Sequence, residues 1–242
     1  MRQDLDRAVR AAHAAGVVIR AARRSAGVVV TNVAARDLKL NVDGDAEAAI
    51  LEQLGCNHPI LCEETGWVGE RADTYWIVDG LDGTVNFHYG LPFCAVSIAL
   101  VVEGTPKLGV VFDFIHSELF TAILGDHAAL NRMPMAVSTT TESAAALLLT
   151  ALATDRDFSD SALAEFAVDL KRWKKVRMLG SAALSLAYVA AGRADACRLE
   201  AIREWDVAAG IALVQAAGGK VVVTPRRPTV VDVFASNGRI AG

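Results

Sequence analysis

Along residues 2–24, small apolar residues, most of them alanine, recur between spaced charges, and this pattern predicts an amphipathic first helix. Two short runs follow, at 28–33 and 38–42, and read as strands; the second alternates apolar and polar residues. Asp43, Asp45 and Glu47 then lead into Ala48-Ala49-Ile50-Leu51, a helix start with acidic residues where the helix dipole favours them. Residues 59–62 predict a short apolar strand ending on Glu63-Glu64, and Trp76-Ile77-Val78 predict a buried one. Three longer runs, 95–102, 107–114 and 118–124, predict antiparallel strands, with turns at Gly104 and around Asp113, His116 and Ser117.

The texture changes after Pro134. A polar bridge at 139–143 predicts a division just before it, into an N-terminal half (1–134) and a C-terminal half (135–242). In the second half helices are expected near 160–174, 181–191 and 206–217, the last capped by Gly218-Gly219. Strands are expected at 194–199, 220–224 and 230–234. The coarse class is mixed α and β in layers.

Composition narrows the function. With 242 residues, 53% of them apolar and 21% charged, the chain is globular and can bury a sizeable core. A formal charge of −4 argues against a nucleic-acid partner, and the basic cluster Lys171, Arg172, Lys174, Lys175 and Arg177 reads as a solvated face after a helix. The apolar run 11–19 is too short to span a bilayer and is followed by no convincing cleavage signal, so no membrane association is expected. Cys56, Cys62, Cys94 and Cys197 show no Cys-x-x-Cys spacing and read as reduced thiols of a cytoplasmic protein, Cys62 as a small buried residue beside Glu63. The five histidines are scattered and read as structural or solvent-facing.

The chemistry concentrates between Trp76 and Phe87. Asp79 and Asp82 each precede a glycine, so a turn there can bring both carboxylates to one point. Converging carboxylates repel unless a cation lies between them, and a hard ion such as Mg²⁺ takes oxygen ligands. Thr84 follows where a helical turn can begin, a place suited to phosphate. Asp-Gly is also a common hairpin signal, so simple turns remain an alternative at this point. A calcium loop is excluded, because the closing position counted from Asp79 is Gly90. Asp43, Glu63 and Asp206 complete a set of acidic residues at ends of predicted elements, with helix N-caps the plainer reading of Asp43 and Asp206.

Taken in order, these residues resemble the inositol monophosphatase family of metal-dependent phosphomonoesterases. Asp43 with Glu47 resembles its first acidic helix start, and Glu63-Glu64 its Glu-Glu motif. The run from Asp79 to Phe87 matches the signature Asp-x-x-Asp-Gly-Thr-x-Asn-Phe, and Trp205-Asp206-x-Ala208-Ala209-Gly210 a second motif. The resemblance implies an α+β fold, a layered αβαβα sandwich with metals at the junction of its halves. It further implies one Mg²⁺ on Glu63, Asp79 and the Leu81 carbonyl, a second on Asp79, Asp82 and Asp206, and a third, weaker ion near Glu63 with Asp43 positioning its water shell. Thr84 and Glu63 would prepare the attacking water, and the backbone N–H groups of Gly83 and Thr84 would hold phosphate. A homodimer, lithium sensitivity and a small phosphorylated polyol or sugar as substrate follow from the same likeness. Family members acting on fructose bisphosphate, 3′-phosphoadenosine phosphate, histidinol phosphate or NADP, and a non-catalytic regulator keeping the fold, are the alternatives.

The chain departs from the family at several positions. Gly80 stands where proline is usual, Val85 where threonine is common, and Asn32 where lysine is frequent. Leu199 occupies the place of a glutamate that bonds sugar hydroxyls, with Glu200 one residue later. Ser181, Glu200, Arg203, Glu204 and Asp206 are therefore the polar residues expected at the substrate pocket.

Overall fold

The computed structural model describes residues 1–25, 27–34 and 37–240. Helix α1 (Arg2–Arg24) leads to strands β1 (Val30–Ala34) and β2 (Asp37–Leu40), helix α2 (Asn41–Leu54), β3 (Ile60–Cys62), β4 (Gly66–Val68) and the nine-residue β5 (Thr74–Asp82). The short α3 (Thr84–Tyr89) precedes β6 (Ala95–Val102), β7 (Thr105–Asp113), β8 (Glu118–Ile123), β9 (His127–Leu130) and β10 (Met133–Pro134). The remainder alternates: β11 (Leu147–Thr150), α4 (Asp160–Leu170), β12 (Lys175–Met178), α5 (Ala182–Ala190), β13 (Ala196–Arg203), α6 (Glu204–Ala216), β14 (Lys220–Arg227) and β15 (Val230–Ser236).

Two sheets carry the architecture. An eight-stranded sheet runs β10-β9-β8-β7-β6-β5-β3-β4, antiparallel except where β3 lies parallel to β5. A five-stranded sheet runs β12-β11-β13-β15-β14. On the outer face of the larger sheet, Ala8, Ala11, Ala12, Ala15 and Ile19 of α1 pack with Ala46 and Ile50 of α2 onto Trp76, Val78 and Phe112. The alanine stripe is what lets α1 lie close. Between the sheets, Leu186 of α5 and Val207, Ile211 and Val214 of α6 join Ile77, Ala99 and Val111 on one side to Leu149, Leu199 and Val233 on the other. Residues 207–214 of α6 are all buried, as expected of a helix covered from both sides. Beyond the smaller sheet, Leu170 of α4 and Trp173 pack against Leu148 and Ala196. The layers are therefore helix, sheet, helix, sheet, helix: an α+β sandwich. Among the described residues no helix is long and apolar enough to cross a membrane.

Several boundaries differ from those the pattern predicts. The second strand ends at Leu40, so Val42 belongs to α2. Two residues of the basic cluster after α4, Lys175 and Arg177, belong to β12, the edge strand of the smaller sheet, where lysine and arginine discourage further pairing. The strand expected at 194–199 extends to Arg203. Most consequentially, the buried strand does not stop at Val78 but continues through Asp82.

Candidate metal centre

That continuation explains how two carboxylates meet. In a regular strand, residues three apart point to opposite faces. Here Asp79 pairs with Ser97 and Asp82 with Ala95, so β5 holds one residue more than β6 across this interval. The bulge restores Asp79 and Asp82 to one side, and both line one cavity of about 460 Å³. The Leu81 N–H turns to Asp79 Oδ1 at 2.8 Å, while Asp79 Oδ2 is buried without a hydrogen-bond partner. The bulge needs Gly80: a Cβ there would lie 2.9 Å from Glu47 N and 3.0 Å from Asp43 O, in the backbone of α2.

The other acidic residues arrive from three elements. Glu63 follows β3, which is parallel to and beside β5. Asp43 and Asp206 are not N-caps; each is the third residue of its helix and turns back to the strand before it. Asp43 Oδ2 accepts from Leu40 N–H at 2.6 Å, and the Asp206 carboxylate accepts from the backbone of Arg203. Ligand oxygens of Glu63, Asp79 and Asp206 lie within 4.8 Å of one another. Asp82 lines the same cavity but directs its carboxylate at α5, accepting from the Ser181 hydroxyl and from Ala183 N–H at 2.9 Å.

Burial is the main cause of the electrostatics, and mutual repulsion adds to it. The Asp79 carboxyl is held well above its usual range by desolvation and then by Glu63, Asp82 and Asp206. Asp206 is raised likewise, by burial, Asp82 and Glu63. Burial lifts Glu63 to about 7, against the pull of Lys39, and lifts Asp43 and Asp82 to about 6. A divalent cation would relieve this repulsion. Three carboxylates with an unpartnered buried oxygen fit a hard ion, and among the described residues no histidine or cysteine lines the cavity. Cys62 packs into the apolar core beneath α1 and α2, and burial pushes its thiol up to about 12.

Gly83 and Thr84 close the near wall. Gly83 has φ +88°, and a Cβ there would lie 2.6 Å from Phe93 O. Thr84 Oγ1 is 3.0 Å from Leu81 O and 3.2 Å from Asp43 Oδ1, two acceptors for one proton. Ser181 lines the cavity, yet its hydroxyl donates to Asp82 and caps α5 by accepting from Leu184 N–H. Arg203 lines the far wall, paired with Asp155 at 2.9 Å. Glu200 is not brought there. It lines a separate cavity and pairs with Arg156 at 2.6 Å, because the step from Leu199, buried in the core, turns it to the sheet's other face. Glu204 does not line the site either.

Two residues that enter the sequence motifs without an assigned role, Glu47 and Asn86, organise the site. Glu47, buried one turn after Asp43, accepts from Glu64 N–H at 2.9 Å, Thr65 N–H at 3.0 Å and the Thr65 hydroxyl, fixing the turn that carries Glu63. Its spacing of four from Asp43 on one helix face was the available signal. Asn86 donates through Nδ2 to Phe93 O and Leu179 O, both at 2.7 Å.

Comparison with known proteins agrees with this geometry. The family model described as "Inositol monophosphatase family" matches residues 1–241. Nus factor SuhB of Pasteurella multocida is 39% identical over 227 residues, covering 90% of this chain and 84% of that protein. Inositol-1-monophosphatase of Synechocystis is 40% identical over 214 residues, covering 85% of this chain and 75% of that protein. The structure of inositol monophosphatase from Anabaena matches with a TM-score of 0.86 at 38% identity, covering 98% of this chain and 92% of that one. The chain belongs to the inositol monophosphatase family and is a phosphoric monoester hydrolase of this metal-dependent family.

Proposed function

We propose that this chain is a Mg²⁺-dependent phosphomonoesterase that hydrolyses a small phosphorylated polyol or sugar of the inositol 1-phosphate type. The observation that carries the reading is the buried, unpartnered Oδ2 of Asp79, within reach of Glu63 and Asp206 at a cavity large enough for such a ligand. Glu63, Asp79 and the Leu81 carbonyl would hold one ion. Asp79, Asp82 and Asp206 would hold another, with Ser181 and the start of α5 aligning Asp82. Bound there, Mg²⁺ supplies charge to shield the phosphoryl oxygens and to acidify a water.

The chain's own groups do the rest. Thr84 and Glu63 orient the attacking water, and Asp43 stands 3.2 Å from the Thr84 hydroxyl to receive its hydrogen bond. The N–H groups of Gly83 and Thr84 hold the phosphate for in-line displacement, in which the water oxygen bonds to phosphorus and gives up a proton, the ester P–O bond breaks, and the departing alkoxide takes up a proton from water to leave as an alcohol. Arg203, Ser181 and Asp206 line the substrate side. With Leu199 in the core, inositol 1-phosphate is a substrate but not the preferred one. A cytoplasmic homodimer inhibited by Li⁺ is part of the same proposal, on family resemblance.

Phosphate release across a panel of phosphomonoesters, with Mg²⁺, with EDTA and with added Li⁺, tests this. Turnover that requires Mg²⁺ and is highest on an ester other than inositol 1-phosphate is expected. Fastest turnover on inositol 1-phosphate would overturn the altered pocket, and no turnover on any ester would overturn the enzyme.

A second reading comes from relatives named Nus factor SuhB. A factor role of that kind would be separable from catalysis, and an Asp79→Asn chain that replaced such a relative in its host would support it.

A further inference from the structure

Lys39 stands inside the acidic site. It lies on β2, directly opposite Asn32, and its side chain lines the cavity that holds Asp79 and Asp206. Its ammonium is ion-paired with Glu64 and lies 3.7 Å from Glu63 Oε1. Arg203, the other basic residue among the described residues lining this cavity, is paired across the far wall with Asp155. Lys39 is thus the cation set against Glu63, one of the three residues whose ligand oxygens converge.

An ammonium is a compact point charge with three donors, able to bridge two carboxylates. Held by a backbone strand, it is always at hand and needs no ion from solution. It also repels any divalent ion that approaches the same oxygen from the same side. We propose that Lys39 is a tethered cation that takes the place of an outer metal ion beside Glu63, so that this chain binds one divalent ion fewer than its carboxylates would hold without the lysine. The inference rests on the metal-centre reading given above.

The test counts ions directly. Mn²⁺, which shares the oxygen preference of Mg²⁺, is titrated into wild type, Lys39→Met, Lys39→Gln and Lys39→Arg, and the free ion is followed by electron paramagnetic resonance. Far-UV circular dichroism identifies the variants that keep the fold, and the neutral variants back each other up. Lys39→Met or Lys39→Gln should bind one more Mn²⁺ than wild type, or tighten the weakest binding step by about tenfold or more, while Lys39→Arg follows wild type. Superimposable isotherms for wild type and folded neutral variants, all with bound Mn²⁺, would overturn the role of Lys39 and leave the metal centre standing. No Mn²⁺ bound by any of the proteins would overturn the metal centre itself, and the inference with it.

Discussion

The side-chain amide of Asn86 donates to the carbonyl of Leu179, at 2.7 Å and 93 positions along the chain. Its other hydrogen goes to Phe93 O, so one buried amide ties α3 to the segment that opens α5. Those two elements bear Thr84 on one side and Ser181, the partner of Asp82, on the other. Asn86→Ala leaves the part-buried carbonyls of Phe93 and Leu179 without that donor and should cost about 1–3 kcal/mol. Urea unfolding measures it; an unchanged midpoint would refute the staple.

Gly80 is fixed by the helix above it. Gly80→Ala, or Gly80→Pro with the residue usual in the family, drives a Cβ into the backbone of α2 near Glu47 and Asp43. The helix must retreat, at a cost of about 1–3 kcal/mol. Thermal unfolding should show the loss, with activity falling further than stability alone explains, because Asp43 moves with α2. A melting temperature at or above wild type would contradict the close approach.

Much of this was legible in residue types. Paired carboxylates announce a hard cation where a turn gathers them, which names Asp79 and Asp82 from residue types; Asp43, Glu63 and Asp206 join them only through the order of motifs that resembles the family. The bulge in β5 could not, because Asp-Gly reads equally well as a turn, and only pairing with β6 shows that the strand continues. Asp43 and Asp206 look like N-caps in sequence; the extended backbones of Leu40 and Arg203 take the cap position and place both acids at the third residue. Lys175 and Arg177 look like a solvated charge cluster, and they are exposed, yet their backbone pairs in register with Leu147 and Leu149. Glu200 was expected in the pocket on proximity in sequence, and strand alternation sends it elsewhere.

Glu47 acts through the turn it holds. Glu47→Gln replaces an acceptor of three hydrogen bonds by an amide whose NH₂ faces donors. The expected result is a loss of about 1–3 kcal/mol and a higher Mg²⁺ requirement, since Glu63 is no longer held in place. Equal Mg²⁺ dependence for variant and wild type would show that Glu63 does not rely on this turn.

The raised carboxyls make the pH dependence specific. Glu63 rises from 4.5 to about 7, and Asp43 and Asp82 from 3.8 to about 6. A folded state that binds protons more tightly than the unfolded chain gains stability below the unfolded values and loses it as pH rises through the folded ones. EDTA-treated protein should therefore melt at a lower temperature at pH 8 than at pH 5.5. Saturating Mg²⁺ should raise melting most at pH 8, where the carboxylates are ionised. Differential scanning fluorimetry across that range, with and without Mg²⁺, checks both; a flat profile in EDTA would contradict the burial of these groups.

The most direct test compares the Mg²⁺ dependence of phosphate release in wild type and Asp79→Asn, on whichever phosphomonoester wild type turns over fastest. Wild type should release no phosphate in EDTA and recover fully on adding Mg²⁺, while Asp79→Asn should stay below about 1% of that rate at any Mg²⁺ concentration. Release by wild type at an undiminished rate in EDTA, or by Asp79→Asn at the wild-type rate, would contradict a metal centre built on Glu63, Asp79 and Asp206.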